Sequence, residues 1–335
     1  MAMVRAAIVG LGWWGLQITE SLRGSSLVDI VIGVDPEAES RARAESIGLQ
    51  TCETLDQILR REDIDAVIIC SPHRFHRDQM LACAAAGKHI FCEKPFSTTS
   101  AQADEVLDAV ERAGVALGIG HERRFESSIV ELQRQASSGE LGQLLVFEGN
   151  FSQDKFLNLD PSNWRLSPVE APVGPLSATG IHLVDLAISL FGNPVSVLAR
   201  LSTQATTFAN GDTLAISLTF ETGQTALITA ILTTPFVGRV ALYGSTGWVE
   251  IRDRSHPENS SGWDVISVKR GGEVETRFVP PEPTVRWNIE RFAESIEGIR
   301  EYPVPHAQIR ANVRAFEAIS LSAASGQIME ISSAK

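Results

Sequence analysis

A short apolar run, Val4–Val9, leads straight into Gly10-Leu11-Gly12-Trp13-Trp14-Gly15, and this junction constrains the chain more than any other feature. Gly10 permits a tight turn, Gly12 leaves room for a pyrophosphate, and Gly15 lets a helix pack closely on the strand. The helix that follows offers N–H groups and a partial positive charge at its amino end. Such a glycine pattern alone is a weak signal. Here a strand precedes it, a helix follows, and Asp35 ends the next apolar run, 20 residues beyond Gly15. That context predicts a dinucleotide-binding strand–helix–strand unit. Trp13 and Trp14 lie inside the loop, placed to cover a cofactor or to pack into protein.

The rest of the first 120 residues continues the alternation. Apolar runs at 29–34, 66–70, 89–92 and 115–119 read as strands, and 16–22, 36–47, 55–60, 72–86 and 100–113 read as helices. Gly87 and Gly114 stop two of those helices, and Ser100 is placed to cap the last. Continuous apolar strands separated by helices predict a doubly wound parallel sheet, covered on both faces. The pattern changes after His121. Helices are expected at 125–137 and 179–190, with an alternating strand at 144–151 and a polar, proline-rich irregular stretch at 152–176. Five β-type runs follow at 195–203, 213–220, 225–233, 237–244 and 248–252, and helices at 287–297 and 306–325 close the chain. The reading is therefore α/β plus α+β. A dinucleotide-binding domain occupies 1–120. An open-faced, mainly antiparallel sheet domain for substrate binding and oligomerisation occupies 121–335, with a closing helix that can pack back on the first domain.

Composition narrows the function classes. The 335 residues carry 29 Lys+Arg against 41 Asp+Glu, a formal net charge of −12. A surface this acidic argues against nucleic acid and anionic membranes as partners. Apolar runs fall well short of the ~20 residues a spanning helix requires. The opening stretch reads as a strand feeding the glycine turn rather than as a signal peptide, so the expected location is cytoplasmic. Cys52, Cys70, Cys83 and Cys92 have no CxxC spacing and read as small buried hydrophobes, and no metal set is expected.

Asp35 can accept both hydroxyls of an adenosine ribose and would repel a 2′-phosphate. Residues 36–40 contain no Arg or Lys, although Arg41 can swing back. NAD is favoured over NADP on that basis. The second constellation is Cys92-Glu93-Lys94-Pro95, at the carboxyl end of the fourth strand, where ligands bind in such sheets. A lysine there can hold a substrate hydroxyl, polarise a carbonyl and exchange a proton. Arg123 and Arg165 can make bidentate contacts to carboxylates or neighbouring hydroxyls, or form salt bridges instead. Trp164 can stack on a sugar or nicotinamide face, or fill core.

The glycine motif, Asp35, Ser71-Pro72 followed by His76, Glu93-Lys94-Pro95, Arg123-Arg124-Phe125, Trp164-Arg165 and Gly180-Ile181-His182-Leu183-Val184-Asp185 stand in an order that resembles the glucose–fructose oxidoreductase / inositol dehydrogenase / rhizopine-catabolism oxidoreductase family. The resemblance covers most of the chain. It implies a catalytic lysine at Lys94, a cis peptide at Lys94-Pro95, and cofactor contacts from Ser71, Pro72, His76, Glu93, Lys94 and Pro95. It also implies that His182 lies in the substrate pocket, with an aspartate four residues before it. Here that position is Ala178, which can neither relay a proton nor bind a hydroxyl. On an α-helix the two positions share a face. Asp185 can orient the His182 ring or cap local structure.

The expectation is an NAD(P)-dependent oxidoreductase moving a hydride between a nicotinamide and a secondary alcohol or ketone of a sugar, cyclitol or related polyol. Lys94 and His182 would be its catalytic groups, and a homodimer or homotetramer its assembly. An NAD-dependent glycoside hydrolase of the same family and a non-catalytic dinucleotide sensor are the alternatives.

Overall fold

The computed structural model describes residues 3–332, and residues 1–2 and 333–335 lie outside the described part. The chain divides into two compact units. One comprises Met1–Glu122 and Pro283–Arg310, the other Arg123–Glu282 and Ala311–Lys335.

The first unit holds β1 (Val4–Val9), α1 (Trp13–Ser21), β2 (Val28–Val34), α2 (Ala38–Ser46), β3 (Thr51–Cys52), α3 (Asp56–Leu59), β4 (Ala66–Ile69), α4 (His76–Ala85), β5 (His89–Cys92), α5 (Ser100–Ala113) and β6 (Leu117–Ile119). The strands form one parallel sheet in the order β3-β2-β1-β4-β5-β6. Ala7, Ile8, Val67, Ile69 and Ile90 are sealed from solvent, as a sheet covered on both faces requires. The strand order reverses between β1 and β4, the switch point outside whose carboxyl ends ligands bind in such sheets. The cap of α5 is Thr99, whose hydroxyl accepts from the Gln102 N–H, rather than Ser100. Gly114, at φ +64°, ends that helix as expected.

The helix Thr284–Ile296 belongs to this first unit although it follows the whole of the second-half sheet in sequence. Its Phe292 ring lies 5.7 Å from Phe91 of β5, and Asn288 donates to the Ile119 carbonyl at 2.9 Å. The Tyr302 hydroxyl donates to Asn288 Oδ1 at 2.6 Å. Gly118 makes room for this packing, since a Cβ there would fall 2.7 Å from Phe91 and 3.0 Å from Phe292.

In the second unit, α6 (Ser127–Ser138) and α7 (Ile181–Phe191) accompany a nine-stranded sheet. Its strands are β7 (Leu144–Ser152), β8 (Pro194–Ser202), β9 (Thr213–Phe220), β10 (Thr225–Ile231), β11 (Val237–Gly244), β12 (Gly247–Asp253), β13 (Trp263–Lys269), β14 (Glu275–Val279) and β15 (Met329–Glu330). The order is β14-β13-β12-β11-β7-β10-β9-β8-β15, antiparallel except where β7 runs parallel to β10. Leu214, Ile216, Leu218, Ala226 and Ile228 alternate inward. Against that face pack Ile181, Val184 and Ile188 of α7, Ile129 and Leu132 of α6, and Ala315, Phe316 and Ile319 of the last helix, His306–Ser325. Each fully buried Ile, Leu or Phe of this layer contributes roughly 1.5–3 kcal/mol of burial.

The pattern reading found β7 to β12 and missed β13, β14 and the two-residue strands. β14 carries Glu275, Thr276 and Arg277 with no buried residue before Val279, so its sequence lacks a core-facing alternation. No helix among the described residues is long and apolar enough to cross a membrane.

Candidate active site

The glycine turn divides its labour by position. Gly10 sits at φ +94°, a backbone that side-chain-bearing residues avoid, and its N–H donates to the Val34 carbonyl at 2.8 Å. A Cβ on it would come within 2.7 Å of the Cys70–Ser71 backbone of the neighbouring strand end. A Cβ on Gly15 would fall 2.0 Å from the Gly10 carbonyl oxygen, so this glycine lets α1 fold down on the turn itself. Gly12 differs from both. It holds ordinary φ −66° and ψ −177° at the start of α1, and a Cβ there would meet nothing within 4 Å. The open space above Gly12, at a helix amino end, fits a pyrophosphate. Gly12→Ala should therefore fold with an unchanged melting temperature yet bind dinucleotide roughly 10- to 100-fold more weakly, since displacing one charge-assisted hydrogen bond costs ~1.5–3 kcal/mol. Calorimetric titration with NADH beside a thermal melt checks both halves of that expectation.

Asp35 is held at the rim of this turn. The Leu11 N–H donates to its Oδ2 at 2.7 Å and the Glu37 N–H to its Oδ1 at 2.9 Å. A carboxylate oxygen has a second lone pair, so both remain able to accept from a ribose diol. Arg41 does swing back, but onto backbone: its Nη1 donates to the carbonyls of Asp35 and Pro36, each at 2.8 Å. Trp13 is 54% exposed, its ring centroid 5.4 Å from that of the partly buried Trp14.

At the end of β5 the Lys94–Pro95 peptide is cis, as the resemblance implied. Glu93 is buried, and its carboxylate packs where a side chain on residue 120 would otherwise be. A Cβ on Gly120 would lie 2.4 Å from both oxygens. The Lys94 N–H donates to Glu93 Oε2 at 3.2 Å, and the Trp14 side chain donates to the same carboxylate. Burial and then the nearby Glu122 push the Glu93 pKa up to about 7, against the opposing pull of Trp14 and Lys94. Lys94 itself is partly buried. His76 is fully buried, and its two ring nitrogens face the Pro95 carbonyl at 2.8 Å and the Ser71 carbonyl at 2.9 Å. It braces the Ser71-Pro72 loop against the Lys94-Pro95 turn, and burial pushes its pKa down against those carbonyls. The Ser71 hydroxyl donates to Gln79 Oε1 at 2.6 Å. Gly10, Gly12, Asp35, Ser71, Glu93, Lys94 and Pro95 thus gather at the carboxyl ends of neighbouring strands.

The second unit brings a different set together. Arg123 is buried, with Nε donating to Glu126 at 3.0 Å and Nη2 to Asp253 at 2.9 Å, and Trp263 Nε1 also donates to Asp253 at 2.8 Å. Arg124 makes a two-pronged contact with Asp185, at 2.6 and 2.7 Å, with both partners buried. Asp185 therefore anchors α7 to the segment that enters α6. The Arg165 guanidinium stacks over the Trp164 ring at 4.4 Å.

The turn carrying Ala178 is not α-helical. Leu176–Gly180 forms a π-helix that runs into α7, so the condition under which positions 178 and 182 would share a face, an α-helix extending to 178, is not met. Thr179 ties this turn to β7 by donating its hydroxyl to the Phe151 carbonyl at 2.7 Å. His182 is buried, its ring 6.0 Å from Phe151. Phe151, His256 and Gln153 were not singled out from the sequence. Gln153 stands two residues past Phe151 on the same face of the extended chain, and nothing local marks His256.

Comparison with known proteins agrees with this arrangement. Residues 4–121 match the model described as oxidoreductase family, NAD-binding Rossmann fold, and residues 129–250 match the GFO/IDH/MocA C-terminal domain. An uncharacterised oxidoreductase of Schizosaccharomyces pombe is 34% identical over 166 residues, 50% of this chain and 44% of that protein, so the chain spans less than half of its length. The rhizopine catabolism protein MocA of Rhizobium meliloti is 29% identical over 308 residues, 89% of this chain and 88% of that protein. The crystal structure of an aldose-aldose oxidoreductase from Caulobacter crescentus, complexed with glycerol, superposes with a TM-score of 0.86 at 27% identity and covers 98% of this chain and 100% of its own. With both domain models matched in order, the chain belongs to the GFO/IDH/MocA oxidoreductase family.

Proposed function

We propose that this chain is an NAD-dependent oxidoreductase acting on a secondary alcohol, or the corresponding ketone, of a sugar, cyclitol or related polyol. The observation that carries the reading is the open space over Gly12 beside the anchored Asp35 carboxylate, on the same sheet end as Lys94. The polyol class is supported by the aldose-aldose oxidoreductase likeness and by the resemblance of the motifs.

When bound, the nicotinamide supplies the hydride acceptor or donor. Lys94 takes the hydroxyl proton during oxidation and returns it to the nascent alkoxide during reduction. A positive lysine also stabilises charge developing on that oxygen. His182 takes part in the proton exchange or positions the hydroxyl. Glu93, with Ser71, Pro72, His76 and Pro95, shapes the cofactor side. Trp164 and Arg165 contribute to substrate binding, while Arg123 and Asp185 act there through the ion pairs that hold their segments. Ala178 stands where the family's proton-carrying aspartate would be, which leaves transient-redox glycoside cleavage as the second reading, and net NADH formation from a free polyol discriminates between the two. The same proposal includes a homodimer or homotetramer built on the open sheet face. There Leu198 and Leu227 stand 45% and 46% exposed on either side of their shared cross-strand neighbour Ser217.

Cofactor choice is tested at Asp35. Asp35→Ala should weaken NAD binding and shrink the preference for NAD over NADP, because the ribose loses its acceptor and a 2′-phosphate loses its repulsion. Parallel titrations with NADH and NADPH read the ratio, and an unaltered ratio removes Asp35 from this role.

A further inference from the structure

The tautomer of a partly buried histidine in the second unit, His256, settles which way a neighbouring amide points. Glu258 N–H donates to His256 Nδ1 at 3.3 Å, and Lys155 Nζ approaches the same nitrogen at 3.2 Å. Both are donors, so Nδ1 carries the lone pair and Nε2 carries the proton. His256 Nε2 lies 2.8 Å from Gln153 Oε1, which therefore accepts. Lys155 is also paired with Glu258, which keeps the ammonium on the Nδ1 side. Burial, then Lys155 and Arg123, push the His256 pKa down to about 4, so the ring stays neutral in ordinary buffers. A flipped Gln153 would set an N–H against the His256 N–H.

This lock turns the Gln153 amide nitrogen, with its two donors, away from His256. Its location is informative. Gln153 follows β7 and keeps the ladder going, donating its N–H to the Ile231 carbonyl at 2.8 Å. Phe151 and Gln153 stand two residues apart on an extended chain, so their side chains share a face. The Phe151 ring lies 6.0 Å from His182 and 5.9 Å from His256. The aromatic cluster that seats His182 therefore also seats the clamp on Gln153.

We propose that Gln153 is a substrate-contacting residue whose amide N–H groups donate to a neutral hydroxyl oxygen of the polyol beside His182, and that His256 is the positioning residue that fixes the amide's orientation. This rests on the polyol oxidoreductase reading above. A carboxylate at this position would suit a substrate that only donates. An amide locked with its nitrogen outward suits an oxygen that accepts.

The test is a kinetic cycle with NAD and two probes, myo-inositol and glucose, on the wild type, Gln153→Met, His256→Ala and the double variant. For a probe the wild type oxidises, Gln153→Met should raise KM roughly tenfold with kcat little changed, as loss of one substrate hydrogen bond predicts. His256→Ala should raise KM less, and should add nothing in the Gln153→Met background, because it acts through the amide. NADH affinity should be unaltered in all four proteins. Should Gln153→Met fold poorly in a thermal melt, Gln153→Glu keeps the acceptor for His256, removes the donors and should also raise KM. An unchanged KM in a folded Gln153 variant overturns the contact, and additive effects of the two substitutions overturn the positioning role. A wild type that binds NADH but oxidises neither probe while remaining folded counts against the polyol reading itself and takes this inference with it.

Discussion

Lys94→Ala is expected to lower kcat for polyol oxidation by about 10²- to 10⁴-fold, the range typical of a lost proton-exchanging group. Dinucleotide affinity and melting temperature should stay near the wild-type values. The reason lies in where each group sits. The turn at Gly12 and the rim carboxylate of Asp35 are held by glycine geometry and by the Leu11 and Glu37 N–H groups. The backbone geometry around it is fixed separately, by the cis Lys94–Pro95 bond and by His76 spanning the Ser71 and Pro95 carbonyls. The substitution thus removes an ammonium from a site that otherwise remains assembled. Steady-state rates beside NADH titration give the split, and turnover close to wild type would remove the central catalytic assignment.

The second large effect is on stability. Asp185→Ala should destabilise the second unit by about 3–5 kcal/mol, because it leaves the buried Arg124 guanidinium without its carboxylate. Replacing both partners with apolar residues, Arg124→Met with Asp185→Leu, should be far milder, since no charge is then left uncompensated. Denaturant unfolding of the single and double variants checks this. Equal destabilisation by both would show that the ion pair matters for something other than mutual neutralisation. The comparison also bears on function, since α7 carries both Asp185 and His182. A loss of activity in the single variant is to be read only after the melt.

What was legible in the sequence follows from how local each constraint is. The glycine turn could be read because positive φ at Gly10 and the 2.0 Å approach at Gly15 are backbone demands that only glycine meets, whatever surrounds them. Asp35 could be read because its place at the end of β2 is set by a strand and a spacing. Arg123 and Arg124 show the opposite case. They are adjacent and chemically identical, yet beyond the local Glu126 one pairs with Asp253 and the other with Asp185, distant partners chosen by tertiary packing. The brace role of His76 was equally hidden, since both of its partners are backbone carbonyls that carry no sequence signal. The helix expected from Thr179 is entered through a π-helix at Leu176–Gly180, and no periodicity in Leu-Ser-Ala-Thr-Gly announces it. The helix Thr284–Ile296 was recognisable as a helix. Its membership of the first unit depends on the fit of Phe292 against Phe91 and Gly118, which only the folded chain supplies.

Uptake of a pyridine dinucleotide over the Gly10–Gly15 turn is the step on which every proposed role depends. Calorimetric titration of the purified protein with NADH measures this directly, with Lys94→Ala and Gly12→Ala run beside it. The predicted result is saturable one-site binding of similar strength in the wild type and Lys94→Ala, and a marked weakening in Gly12→Ala. A folded wild-type protein that takes up neither NADH nor NADPH would contradict it.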